Sequence, residues 1–164
     1  MRHFFIYMSA FCALMIAVSC GGQKIEVDLE SILEQNKKDS TLVTGWYYIV
    51  DNETGFKRQI DKMEEFYFID PKPILVKEHF GKLEVYKTDF QGRHFALSIL
   101  IRKEYKELWA NAIEKSIGKR LGLIVDNQLM TAPMVNMRIE NGASSFMRKD
   151  YDRKKLETIK KLME

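Results

Sequence analysis

The sequence predicts an α+β fold: a mainly antiparallel sheet with helices packed on one face. Three observations predict it. β-Forming runs come in neighbouring pairs split by turn residues, as in 45–50 and 56–60 on either side of Asp51-Asn52-Glu53-Thr54-Gly55. Segments with apolar residues at the helical period stand apart from these runs, at 26–38, 103–117 and 151–163. The two kinds of element follow no regular βαβ alternation, so hairpins rather than crossovers should build the sheet.

In chain order, Leu29, Ile32 and Leu33 make the apolar stripe of the first helix, which Asn36-Lys37-Lys38-Asp39-Ser40 ends. Gly45-Trp46-Tyr47-Tyr48-Ile49-Val50 is a strand, and 56–60 returns as a second. Phe66-Tyr67-Phe68-Ile69 is a short third strand, expected to stop at Asp70-Pro71 and Pro73 because proline cannot donate to a ladder. Residues 75–82 are expected to form one helical turn ending near Gly81. A hairpin follows: 83–88 packs through Leu83, Val85 and Tyr86, Gln91-Gly92 turns, and 94–101 returns through Phe95, Leu97, Ile99 and Ile101. The helix over 103–117 carries Tyr105, Leu108, Trp109, Ala112 and Ile113 on one stripe. Gly118 is placed to end it, with Lys115 and Lys119 at its negative pole. A buried strand over 121–125 reaches the turn Asp126-Asn127, and 129–131 starts another strand that Ala132-Pro133 breaks. Asn141-Gly142 turns into a short strand over 144–147. Asp150 is expected to cap the closing helix, whose Leu156, Ile159 and Leu162 or Met163 face inward. No repeat, low-complexity block or linker divides 26–164, which therefore reads as a single domain.

The N-terminus sets the compartment. Arg2 and His3 precede an almost wholly apolar run over 4–18, too short for a spanning helix of about 20 residues but long enough for the core of a signal peptide. Ala17-Val18-Ser19-Cys20 closes the run and resembles the lipobox of bacterial lipoproteins, with Ala17 where leucine is usual. That resemblance implies cleavage after residue 19, acylation (palmitate) of Cys20, a tether over 20–25 and a domain outside the cytoplasm, held on the bilayer of the bacterial cell envelope. Several acyl chains on one cysteine would make the attachment lasting, since each buried methylene contributes about 0.8 kcal/mol.

Composition narrows the chemistry. The formal charge of +3, which loss of Arg2 lowers by one, is too mild to argue for nucleic acid, and the basic residues interleave with acids at 102–107. Cys12 lies in the leader and Cys20 is the lipid site, so the mature domain has no disulfide, thiol nucleophile or cysteine metal site. His79 and His94 lack metal-ligand spacing and read as surface or turn residues. No metal and no cofactor is expected.

One stretch carries a family resemblance. Ser116-Ile117-Gly118-Lys119-Arg120-Leu121-Gly122-Leu123-Ile124-Val125-Asp126-Asn127 continues through Ala132-Pro133, Ile139 and Gly142. In order and spacing it resembles the head subdomain of the first periplasmic domain of SecD and SecDF. There a helix ends in Asn-x-Gly-Lys, followed by an apolar strand, Asp-Gly, Ser-Ala-Pro and Ile-x-x-Gly. Upstream, 66–73 matches that family's tyrosine-rich strand, and Pro73-Ile74-Leu75 its Pro-Ile-Leu segment. The resemblance spans about 64–163. Two positions depart from it: Asn127 replaces the glycine of the turn, and Ile113 stands where the family carries threonine. The transmembrane helices of SecD have no counterpart, so the chain looks like the head alone on a lipid anchor, in the manner of small lipoproteins of Bacteroides-type bacteria.

The resemblance implies protein transport and binding rather than catalysis, with a protein or an unfolded polypeptide segment as partner. Gly118, Lys119, Asp126, Asn127, Ala132, Pro133, Ile139 and Gly142 are the matched residues, either fold-determining or partner-contacting. From the residues themselves, the contact candidates are the aromatics Trp46, Tyr47, Tyr48, Phe66, Tyr67 and Phe68, together with an exposed sheet edge open to strand addition. A hydrolase is the weaker alternative. The chain has no Gly-x-Ser-x-Gly, His-Glu-x-x-His or phosphate loop, the carboxylates of Glu64-Glu65 diverge, and Ser98, His94 and Asp126 have no local support as a triad. A structural or regulatory envelope lipoprotein without a transport role is the remaining alternative.

Overall fold

The computed structural model describes residues 26–51, 54–89 and 93–164. The expected leader, the tether and Cys20 lie outside the described residues, as do Asn52-Glu53 and the turn at Gln91-Gly92. No helix among the described residues is long and apolar enough to cross a membrane.

The fold is α+β with antiparallel strand pairing. Its elements are α1 (Leu29–Asp39), β1 (Gly45–Val50), β2 (Phe56–Gln59), β3 (Phe66–Val76), β4 (Phe80–Lys87), β5 (Phe95–Ile101), α2 (Lys106–Lys115), β6 (Leu121–Val125), β7 (Gln128–Thr131), β8 (Ala143–Met147) and α3 (Arg153–Met163). The strands divide into two sheets, ordered β2-β3-β1-β6-β7 and β4-β5-β8. The larger sheet curls until its two edges meet. Ile60 bridges Leu129, the Asp61 N–H donates to the Leu129 carbonyl at 2.9 Å, and Gln128 Nε2 donates to the Gln59 carbonyl at 2.9 Å.

Strand alternation divides the apolar residues between two cores. Leu121, Leu123 and Val125 of β6 and Trp46 of β1 face the main core, which Leu97 and Ile99 of β5, Phe146 of β8, Trp109 and Ile113 of α2, and Leu156 and Ile159 of α3 complete. Ile124 of β6 and Tyr47 of β1 point the other way, into a smaller core with Leu42, Ile69 and Leu129. Full burial of each such side chain contributes about 1.5–3 kcal/mol, so β6, apolar and buried along its whole length, is the spine of the domain.

Four local expectations are corrected. β3 does not stop at Asp70 but runs on to Val76. Its prolines are tolerated because the pairing with β2 ends at Ile69 and the β1 ladder is bulged there, Tyr47 facing Pro73 and Ile49 facing Ile69. The Pro71 carbonyl is taken instead by Asn36 Nδ2 of α1 at 2.8 Å. The turn expected over 75–82 shrinks to a single 3-10 turn, Lys77–His79. The cap of α3 is Asp152, whose Oδ1 accepts from the Lys155 N–H at 2.7 Å, because Asp150 is held by Arg148 (Nη2 to Oδ2, 2.8 Å). Leu108 and Tyr86 are exposed rather than packed inward, whereas of Leu162 and Met163 it is Met163 that enters the core.

Candidate functional site

The site grows from β1 and the irregular segment after β7. Alternation along β1 sends Trp46 into the main core, where its ring meets Trp109 of α2 at 5.3 Å between centroids, tilted by 41°. Both indoles are buried, and neither N–H has an acceptor. A buried donor left unpaired costs about 1–3 kcal/mol, so two in contact are unusual for a plain core.

Beyond β7, Pro133 ends regular pairing and the chain crosses the tryptophans as a strap. The strap is tied at four points. The Gly118 N–H donates to the Val135 carbonyl at 2.9 Å, the Val135 N–H to the Lys119 carbonyl at 2.8 Å, the Leu121 N–H to the Pro133 carbonyl at 3.2 Å, and Arg120 Nη1 to the Ala132 carbonyl at 2.6 Å. Gly118 has φ +79°, which suits glycine and strains other residues. At the far end of the strap, Arg138 pairs with Glu107 and Glu114 of α2 and with Glu140.

Beneath the strap lies a cavity of about 320 Å³, walled by Trp46, Trp109, Leu121, Pro133, Met137 and Ile139, with Ser144 and Ser145 of β8 at one side. Across Met134, which belongs to both, lies a shallower groove of about 530 Å³ with Phe66, Tyr67, Phe68, Lys119 and Arg120 in its lining. Met134 and Met137, which line the cavity, are 46 % and 69 % exposed, so thioethers stand at its mouth. Such side chains adapt to differently shaped apolar partners. Lys57 Nζ lies 3.9 Å above the Phe66 ring and joins Lys119 and Arg120 as positive charge beside the groove.

The candidate residues sort by place. Pro133 and Ile139 wall the cavity, Gly118 and Lys119 border the groove, and Ala132 is buried at the root of the strap. Asp126 and Asn127 lie away from it, in a turn where both have positive φ (50° and 62°). Asn127 Oδ1 accepts from the Leu42 N–H at 2.9 Å and from Arg58 Nη2 at 2.8 Å, which ties the turn to β2 and to the loop before β1. Gly142, φ +74°, turns the chain into β8, and a side chain there would meet Lys106. Of the aromatic candidates, Trp46 lines the cavity, Tyr47 is buried in the smaller core, Tyr48 is half-buried against the main core, and Phe66, Tyr67 and Phe68 line the groove.

Ser98, His94 and Asp126 do not form one site. Ser98 faces Glu84 and Ser145 across its ladders in the smaller sheet, His94 is exposed just before β5, and Asp126 belongs to a turn of the larger sheet. Of the two places expected for His79, surface or turn, it takes the turn, Lys77–His79. It is buried and stacked on Tyr105 at 4.0 Å, and burial lowers its pKa. The sequence pattern places Trp109 in a core stripe and does not single out Met134 or Met137, which line the cavity. The available signal was Met-Val-Asn-Met directly after a strand-breaking proline.

No family model and no curated protein sequence matches the chain. Among solved structures, the fold is similar to SecDF in a super-membrane-facing form, with a TM-score of 0.52 and 14 % identity over 79 % of this chain and 20 % of that one. It is also similar to a SecDF described as a membrane component that enhances protein export, with a TM-score of 0.58 and 12 % identity over 86 % of this chain and 70 % of that one. The chain thus spans about a fifth of the first of these structures. What it shares with them is a SecD-like α+β fold.

Proposed function

We propose that the protein is a non-enzymatic envelope module that binds a protein or an unfolded polypeptide segment outside the cytoplasm, as an accessory to protein export, tethered to the bilayer through acylated Cys20. The observation that carries this reading is the apolar cavity under the strap. It combines two unpartnered indole donors with a rim of exposed methionines, a surface suited to apolar side chains of varied shape. The SecD-like fold supports the same reading, since one SecDF of similar fold is described as enhancing protein export.

The test is binding of a permanently unfolded probe, reduced and carboxymethylated α-lactalbumin, to the detergent-solubilised full-length lipoprotein. Saturable binding that native α-lactalbumin does not compete is the expected result. No binding to the unfolded probe would remove this function and leave a structural or regulatory lipoprotein.

A further inference from the structure

On the strength of that polypeptide-binding reading, we propose that the free edge of β8 accepts an extended segment of the bound polypeptide as an added strand, with one bulky apolar side chain seated in the Trp46/Trp109 cavity.

The edge comes first. β8 is hydrogen-bonded to β5 on one side, and its other side has no backbone partner among the described residues. Exposed edges are normally blunted by charge, proline, bulges or cover. The other edges of this molecule follow that rule: β4 carries exposed Lys82, Glu84 and Lys87, while β2 and β7 meet each other as the larger sheet curls. Ala143-Ser144-Ser145-Phe146-Met147 carries no charge, no proline and no bulge, in a chain that is 30 % charged. An unblunted edge presents alternating N–H and C=O groups, and a polypeptide backbone is the ligand that answers that pattern.

The cavity lies against the same strand, because Ser144 and Ser145 are part of its lining. Its volume of about 320 Å³ is at the lower end for ligand pockets, the scale of one large side chain rather than a cofactor or an acyl chain. A strand laid on β8 turns alternate side chains to one face, which delivers an apolar anchor to the cavity at a two-residue period. The seated side chain would pack against the Trp46 and Trp109 rings, which form one wall of that cavity. Met134 and Met137, exposed in the lining, let the rim fit leucine, methionine or phenylalanine alike.

The experiment uses the full-length lipoprotein in detergent and a blocked, dye-labelled nonapeptide of alternating threonine and valine with a central phenylalanine. Binding is followed by fluorescence polarisation and by tryptophan emission. The proposal expects binding accompanied by a change in tryptophan emission, and a loss of about tenfold or more in affinity when the central phenylalanine is replaced by aspartate. Met137→Asp at the rim and Ser145→Lys on the edge should each weaken the peptide and the unfolded α-lactalbumin probe together, whereas Glu34→Lys on α1 should weaken neither. Trp46→Phe and Trp109→Phe, checked for unaltered melting, should reduce affinity by cutting back the aromatic wall of the cavity while keeping a ring. Unfolded protein bound equally well by wild type, Met137→Asp and Ser145→Lys would overturn this inference alone. Absence of binding to both probes would overturn it together with the polypeptide-binding reading. A dimer that Ser145→Lys dissociates and peptide does not would also overturn it, with a second copy of the chain as the occupant of the edge.

Discussion

Asn127 serves the fold through both its backbone and its side chain. Glycine is the easier choice for a turn position at φ 62°, yet asparagine adds an acceptor that Leu42 and Arg58 both use. Asn127→Gly therefore keeps the turn and removes the tie, and stability in urea should fall by about 1–3 kcal/mol. An unchanged or higher midpoint would mean that the turn needs only its backbone. His79 makes a second case. Burial lowers its pKa, with Glu78 opposing and Arg102 adding to the effect. A group whose pKa is depressed on folding supports stability above its unfolded value, about 6.5 for histidine, and withdraws that support as pH falls below it. Stability should drop between pH 7.5 and 5, and His79→Phe, which retains a ring against Tyr105, should drop less over the same interval. Parallel pH curves for the two proteins would contradict this.

At the scale of elements, the strap depends on one glycine. Gly118→Val meets no neighbour, since nothing lies within 4 Å of a side chain placed there, but its φ of +79° strains a β-branched residue whatever the space. The variant should lose about 1–3 kcal/mol in thermal unfolding and loosen the strap over the tryptophans, measured as faster amide exchange at Val135. The cap of α3 separates two aspartates: Asp152→Ala should lower stability by about 1 kcal/mol, while the Arg148–Asp150 pair lies outside the helix ladder. The helices and the 83–101 hairpin were legible in the sequence because their apolar residues repeat at a clear period, and β1 because it is a run of β-formers. β3 was not, because Pro71 and Pro73 carry a local stop signal that the bulge in the β1 pairing and the bond from Asn36 neutralise from a distance. Asp150 and Asp152 likewise look equivalent until Arg148 claims the first.

The whole molecule places its matched residues in two groups: Gly118, Lys119, Ala132, Pro133 and Ile139 gather around the strap, whereas Asp126, Asn127 and Gly142 hold turns. The sequence pattern reached the strap through Pro133 and Gly118 but not the cavity. A cavity belongs to the packing of β1, α2, β8 and an irregular segment, and periodicity says nothing about how separate elements meet. The tether is the other half of the proposed arrangement. Cys20→Ala should release the protein to the soluble fraction with its melting temperature unchanged; retention in the membrane fraction would contradict the acyl anchor. The measurement that bears most directly on polypeptide binding is site-specific photocross-linking in the envelope, with a photoreactive phenylalanine at Met137 or, as control, at Glu34, beside a secreted reporter held unfolded. Adducts with the unfolded reporter from position 137 alone are the predicted result. No adduct, or equal adducts from both positions, would contradict it.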